Sequence, residues 1–246
     1  MEPTILAGDK VFVWKPLLGA RIFDIFSLLG GEDVKIYRIP GIHNMKRNDI
    51  IVFNYPYYNG LDMIKMQIVK YYIKRCIGLP GDTIFVKNEK YHIIKVQNSS
   101  SSKFDIQKKN YTEYELRKKN SYPNHSYFKK NIKDFGPLII PLKDSEILMD
   151  YKNFILYQTL IKWETQKDLT FDEIINCCYS GQQPLKKYRF KHNYFFVIGD
   201  NLEESEDSRY WGLVPEPFIV GKVNLTLKSH GLKNNHFHRK IFKRIQ

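Results

Sequence analysis

The 246 residues carry 39 Lys and Arg against 26 Asp and Glu, a net charge of +13, and are enough for one large or two modest domains with a proper buried core. That balance suits nucleic acid, an anionic bilayer or no specific partner; with no zinc-finger spacing, no RNP-like aromatic motif and no basic helix leading into heptads, no nucleic-acid partner is expected and a membrane surface is the better one. Aromatics at 15%, with many Ile and Val, favour strands, and 14 Gly and 11 Pro supply the turns between them, so the expected fold is mainly β with helical insertions.

In chain order, Met1 to Asp9 reads as a turn-like entry and Lys10 to Trp14 alternates as a strand with one buried face. After a loop carrying Gly30-Gly31, Asp49 to Tyr55 is an apolar strand ended by Pro56, and Ile64 to Ile77 reads as one long strand broken by Gly78-Leu-Pro-Gly-Asp82. Thr83 to Val86 and Tyr91 to Val96 flank a polar Lys87-Asn-Glu-Lys90 linker that suits a hairpin. From about Asn98 to Lys133 the chain turns Ser-, Lys-, Asn- and Tyr-rich, with one short helix predicted near Thr112 to Lys119. This divides the chain into a discontinuous β domain, 1–97 and 136–246, and a surface insertion, 98–135.

Leu138 to Pro141 and Glu146 to Met149 resume the strand pattern. Phe154, Tyr157 and Ile161 recur at helical spacing across Asn153 to Glu164, and a second helix is predicted over Phe171 to Cys178. Tyr194 to Ile198 is a buried strand running into Gly199-Asp-Asn201, and a last strand, Val220 to Leu227, precedes a basic tail.

Cys76, Cys177 and Cys178 are odd in number, two of them adjacent, and imply neither a disulfide framework nor a zinc site. His236-Phe-His238 lacks the Cys or carboxylates that would complete a metal site, so no metal is expected. No stretch approaches the ~18 apolar residues that span a bilayer, and the first residues are not a charged segment followed by an apolar one.

Three separated segments carry the chemistry. In Tyr72-Ile-Lys-Arg-Cys-Ile-Gly-Leu-Pro-Gly-Asp82, Lys74 is flanked by apolar residues; desolvation there disfavours the ammonium and suits a lysine to general-base work, whereas a lysine that merely alternates outward would do nothing. Gly199 to Gly212 is dense in hydrogen-bonding groups. Asp207 and Arg209 can pair, the glycines permit close backbone approach, and Ser205 can bond a neighbouring amine; taken alone, it also reads as a structural capping loop. Met1-Glu-Pro-Thr4 gives a stiff entry through Pro3.

Together these segments resemble, in order and detail, the signature boxes of type I signal peptidases, the bacterial leader peptidases of peptidase family S26. The matching residues are Met1-x-Pro-Thr4 with Gly8-Asp9, Lys74-Arg75 with Gly78-x-Pro-Gly-Asp82, and Gly199-Asp-Asn201 with Ser205-x-Asp-Ser-Arg209 and Trp211-Gly212. The resemblance covers nearly the whole chain and is least secure from about Asn98 to Lys133; the long lead from Trp14 to Arg47 is similar to the Bacteroidetes branch. Leu202 departs from the pattern, since many bacterial members carry arginine after Gly-Asp-Asn, which puts one loop contact in doubt.

The resemblance implies a fold of several coiled antiparallel sheets and a serine endopeptidase of the Ser-Lys dyad type that removes signal peptides from exported preproteins without a cofactor. Lys74 matches the family's base, Ser205 the hydroxyl that orients its amine, and Asp207 with Arg209 a supporting ion pair; Gly199, Asp200 and Asn201 belong to the same supporting loop. The nucleophilic serine belongs immediately before the Met1 box, so a chain starting at Met1 is expected to lack it and to be inactive, along with a membrane anchor that would hold the domain on the periplasmic side of the inner membrane. Met1, Ile5, Tyr72 and Ile73 are the candidates for the walls of the peptide pockets. The competing readings are a repressor-type self-cleaving Ser-Lys protease, disfavoured because no DNA-binding helical domain or cleavage segment is evident, and a non-catalytic peptide-binding relative, which would have no need to keep Lys74 and Ser205.

Overall fold

The computed structural model describes residues 1–24, 36–42, 44–58, 63–87, 90–95, 102–104, 122–128, 135–202, 204–227 and 243–244. The strands run β1 (Lys10–Trp14), β2 (Arg21–Phe23), β3 (Ile36–Arg38), β4 (Ile50–Asn54), β5 (Tyr57–Tyr58), β6 (Met63–Ile64), β7 (Tyr71–Gly78), β8 (Asp82–Lys87), β9 (Lys90–Lys95), β10 (Ser102–Phe104) and β11 (Phe135–Ile139). Next come β12 (Glu146–Leu148), helix α1 (Tyr151–Thr165), β13 (Leu169–Asp172), β14 (Cys177–Ser180), β15 (Gln183–Pro184), β16 (Lys187–Arg189) and β17 (Tyr194–Ile198). A one-turn α2 (Ser208–Trp211), β18 (Val214–Pro215), β19 (Ile219–Leu227) and β20 (Lys243–Arg244) complete the described elements.

The main sheet has the order β1-β19-β4-β7-β17-β18, with β20 added to β19, and a four-stranded sheet, β10-β9-β8-β11, lies beside it. Its pairings are antiparallel, as expected for a mainly β chain. β4 shows why its sequence is a continuous apolar run: both faces of this strand are covered. Ile51 and Phe53 enter the large core with Ile84, Leu138, Leu160, Phe196 and Trp211, while Ile50 and Val52 join a smaller cluster with Ile5, Val220 and Val223. Helix α1 starts where Asp150 accepts a hydrogen bond from Asn153 N at 2.7 Å and lays Ile155, Leu156, Leu160 and Ile161 on the large core.

Two expectations need correction. The single strand over 64–77 is two strands, β6 and β7, separated by a loop. The side chain of Asn54 donates to the carbonyls of Gln67 and Ile68 at 3.0 and 2.9 Å, and Gln67 donates to Tyr57 O at 2.7 Å, so side-chain amides hold the loop folded despite its β-favouring residues. The helix over 171–178 is instead the β13–β14 hairpin: Asp172 Oδ1 accepts from Ile174 N and Ile175 N at 2.9 and 3.2 Å, Asn176 takes φ 51°, and the chain reverses there.

The helix expected at Thr112 to Lys119 lies outside the described residues. Within the span read as a surface insertion, 122–128 is joined to the large core through Tyr122, which is 8% exposed. Among the described residues no helix is long and apolar enough to cross a membrane, and no group of three or more His, Cys, Asp or Glu is placed to hold a metal.

Candidate active site

β7 pairs with β4 along 71–75 but with β17 only from Arg75 onward, so among the described residues its other edge has no strand partner along 71–74. Alternation along β7 puts Tyr72, Lys74 and Cys76 on the large-core face and Ile73 on the face of the small cluster. Lys74 is thus carried inward by the register of a strand whose neighbours are apolar, and only 8% of it is exposed. Its Nζ hydrogen-bonds Ser205 Oγ at 2.7 Å and lies 5.7 Å from the centre of the Tyr72 ring.

Burial is the main reason the Lys74 ammonium is held below the ordinary lysine range; Asp207 opposes that shift, Arg209 adds to it, and Glu206 opposes it without reversing it. A neutral amine is therefore easier to reach here than on an exposed lysine.

Ser205 is held by the loop between β17 and α2. Asp207 caps α2, taking Arg209 N at 3.2 Å and Gly199 N at 3.1 Å, while Ser208 Oγ takes Val197 N at 3.0 Å. The Arg209 guanidinium grips Asp207 at 2.7 and 2.8 Å and donates to the carbonyls of Leu202 and Ser205 at 2.8 and 3.3 Å. The bond from Arg209 reaches the main-chain carbonyl of residue 202, while the Leu202 side chain packs against the large core. Gly199 closes the arrangement: a Cβ on it would lie 2.1 Å from Ser205 Oγ and 3.3 Å from Lys74 Nζ.

Asp200 joins the three motif segments. It accepts two hydrogen bonds from Arg75 at 2.8 Å each and one from the Thr4 hydroxyl, so the residue after Lys74, the opening box and the Gly199 loop share one carboxylate. Burial pushes that carboxyl up, but the bonds from Arg75 and Thr4 outweigh it and leave it below the usual range.

The structure brings Lys74, Ser205, Asp207, Arg209, Gly199 and Asp200 together. Asn201 instead bonds Glu204 at 3.0 Å on the outer side of the loop. The pocket candidates divide: Ile5 is buried in the small cluster with Met1 and Ile73 packed against it, whereas Tyr72 stacks on Phe53 on the opposite face, beside Lys74. Thr4, Arg75 and Ser208 stand inside the recognised motifs, yet only their contacts reveal their work.

A buried amine is thus fixed on a hydroxyl, on a strand whose second edge has no strand partner along 71–74 among the described residues. Residues 1–228 match the family described as "Signal peptidase, peptidase S26", and the chain belongs to that family. Proteins named signal peptidase I are similar to it: one from Buchnera aphidicola subsp. Baizongia pistaciae is 33% identical over 91% of this chain and 65% of its own length. Another, from Buchnera aphidicola subsp. Acyrthosiphon pisum, is 30% identical over 91% of this chain and 63% of its own length. One from Aquifex aeolicus is 29% identical over 91% and 70%. The chain thus spans somewhat under two thirds of the length of the two Buchnera proteins.

Proposed function

We propose that this chain is the catalytic domain of a serine endopeptidase that removes signal peptides from exported preproteins, with Lys74 as general base. The observation that carries this reading is the buried Lys74 Nζ at 2.7 Å from Ser205 Oγ, inside a matching family. The nucleophile is a serine directly preceding Met1, as the resemblance implies. Neutral Lys74 takes the proton from that serine as its oxygen attacks the scissile carbonyl, and the resulting ammonium gives the proton to the departing amine as the C–N bond breaks. Water, deprotonated by the same amine, then releases the acyl group and restores the serine. Ser205 fixes the amine's direction through both steps.

The substrate lies as an extended strand along the 71–74 edge of β7, which has no strand partner among the described residues and whose alternate side chains meet opposite faces. One set points towards Met1, Ile5 and Ile73, the other towards Tyr72. The domain works on the periplasmic face of the inner membrane. Leu6, Phe12 and Trp14 are 45%, 50% and 44% exposed, next to exposed Lys10 and Lys15, a surface suited to an anionic bilayer.

The test is a chain extended by a serine ahead of Met1, incubated with a purified preprotein, the product's new N-terminus being read by mass spectrometry. Cleavage at the signal-peptide junction, abolished by Lys74→Met, is expected. No cleavage, or cleavage that survives Lys74→Met, would overturn the reading.

A further inference from the structure

Outside the dyad and its loop, one aromatic residue touches several elements at once. Tyr122, from the span between β10 and β11, donates its main-chain N–H to Arg209 O at 2.8 Å. Its hydroxyl donates to Leu156 O in the middle of α1. Its ring lies against Gly212, where a Cβ would meet three ring atoms at 2.8, 3.0 and 3.0 Å, and Gly212 holds φ 99°, a backbone region that glycine alone enters easily. The ring therefore occupies the space that the missing Gly212 side chain leaves open.

These contacts bear on α2, at the far end of the Ser205 loop. Arg209, whose carbonyl Tyr122 ties, is the residue whose guanidinium holds Asp207 and the Ser205 carbonyl. Gly212 ends α2 by donating to Ser208 O at 3.1 Å, and Ser208 is in turn bonded to β17. From Tyr122 to the amine the path is short and made of buried groups: Tyr122 N–H, Arg209, Ser205, Lys74. Tyr122 is 8% exposed, Arg209 3%, Ser205 6% and Lys74 8%, so no solvent layer separates them.

We propose that Tyr122 is a positioning residue for the reaction at Lys74: it clamps the 207–212 turn against α1, and through that turn the segment around 122–128 sets where Ser205 holds the lysine amine. This rests on the reading of Lys74 as the base. A residue that only filled core volume would contribute to stability and leave the amine's direction and solvation to the loop itself. A clamp makes the insertion part of the catalytic geometry, so that a change on the 122–128 segment reaches the dyad without touching substrate.

The experiment compares Tyr122→Phe, Tyr122→Leu and the parent, all carrying the serine ahead of Met1, in steady-state cleavage of a signal-peptide substrate across pH. Both variants keep an apolar side chain in the core, and thermal unfolding establishes the folded fraction to which rates are referred. In Tyr122→Leu the flat ring against Gly212 is lost, and kcat is expected to fall about tenfold with KM within about twofold, since misplacement by ~1 Å weighs on the reacting step rather than on binding. The acid limb of its pH profile is expected to move to higher pH as the loosened loop admits water to the amine. Tyr122→Phe, which keeps the ring and the main-chain bond, is expected to fall between. As a readout independent of turnover, the pH dependence of Lys74 acetylation by acetic anhydride, followed by peptide mass spectrometry, should shift in the same direction. Variants whose kcat per folded molecule, pH profile and Lys74 acetylation all match the parent would overturn the clamp. If the parent itself cleaves nothing, the peptidase reading fails, and the acetylation profiles still decide the link from Tyr122 to Lys74.

Discussion

Gly199→Ala isolates the geometry on which the site depends. A Cβ at residue 199 would stand 2.1 Å from Ser205 Oγ, 2.6 Å from Ser205 Cβ and 3.3 Å from Lys74 Nζ. Carbon rests comfortably against carbon or oxygen at roughly 3.5 Å or more, so Ser205 has to retreat by about 1 Å or more, and turning its hydroxyl alone would leave its Cβ too close. Asp207 holds the loop from below, through Gly199 N and the Arg209 pair, so strain cannot be spread along the chain without breaking those bonds as well. Overpacking of this kind costs about 1–3 kcal/mol of stability, and misplacement by ~1 Å of a group that orients the base costs about a hundredfold in kcat. The assay is kcat and KM on a signal-peptide substrate, for protein carrying the serine ahead of Met1, together with urea unfolding. Gly181→Ala serves as the contrast: at φ 62° its backbone is strained by any side chain, yet nothing lies within 4 Å of a Cβ there. It should lose stability and keep its kcat. A Gly199→Ala protein with kcat within about twofold of the parent would refute the reasoning, since an offset of ~1 Å at the dyad is expected to weigh far more.

Three other outcomes follow from the same contacts. Asp207→Asn leaves the Arg209 guanidinium buried without its counter-charge and should cost about 3–5 kcal/mol in urea unfolding; a loss below about 1 kcal/mol, the level of an exposed pair, would contradict the role assigned to that pair. The Asp200 carboxyl is held below the usual range in the folded state, so its contribution is present above the carboxyl's unfolded pKa and is lost as pH falls through the lowered folded value. Asp200→Asn should therefore be less stable than the parent at neutral pH, with the two melting curves converging in acid, and a gap that stays constant would count against the Arg75–Asp200–Thr4 junction. Phe12→Ser combined with Trp14→Ser should reduce co-sedimentation with phosphatidylglycerol vesicles about tenfold, and unchanged binding would move the membrane surface elsewhere.

Much of this architecture is legible from local pattern, and the misreadings share a cause. β1 and α1 announce themselves because burial repeats along them at their own period, β4 and β17 because each is a short continuous apolar run buried on both faces. Phe171, Ile174, Ile175 and Cys178 fall at helical spacing too, but that period arises by coincidence: Ile174 is 95% exposed at the tip of a hairpin that Asp172 turns. Likewise the residues after Ile64 look like strand, and only distant amides from Asn54 and Gln67 fold them into a loop. Long-range side-chain bonds of this sort leave no periodic trace.

At the site, residue types and their order in the motifs mark Lys74, Ser205, Asp207 and Arg209. The glycines of the loop already suggest close approach there; what the residue types do not convey is that one carboxylate, Asp200, ties Thr4 to Arg75, or that it is Ser205 and Lys74 that crowd Gly199. Tyr122 is silent in the sequence because its partners are two carbonyls and a glycine, none of which constrains the residue pattern around it.

The most direct test of the central claim is the titration of Lys74 itself. Nitrogen-detected NMR of lysine side chains, assigned through Lys74→Arg, follows its amine across pH in the folded protein. The account predicts a midpoint below those of the exposed lysines, moving up towards them in Ser205→Gly as water gains access to the amine. A Lys74 amine that titrates together with the exposed lysines, in both proteins, would contradict it.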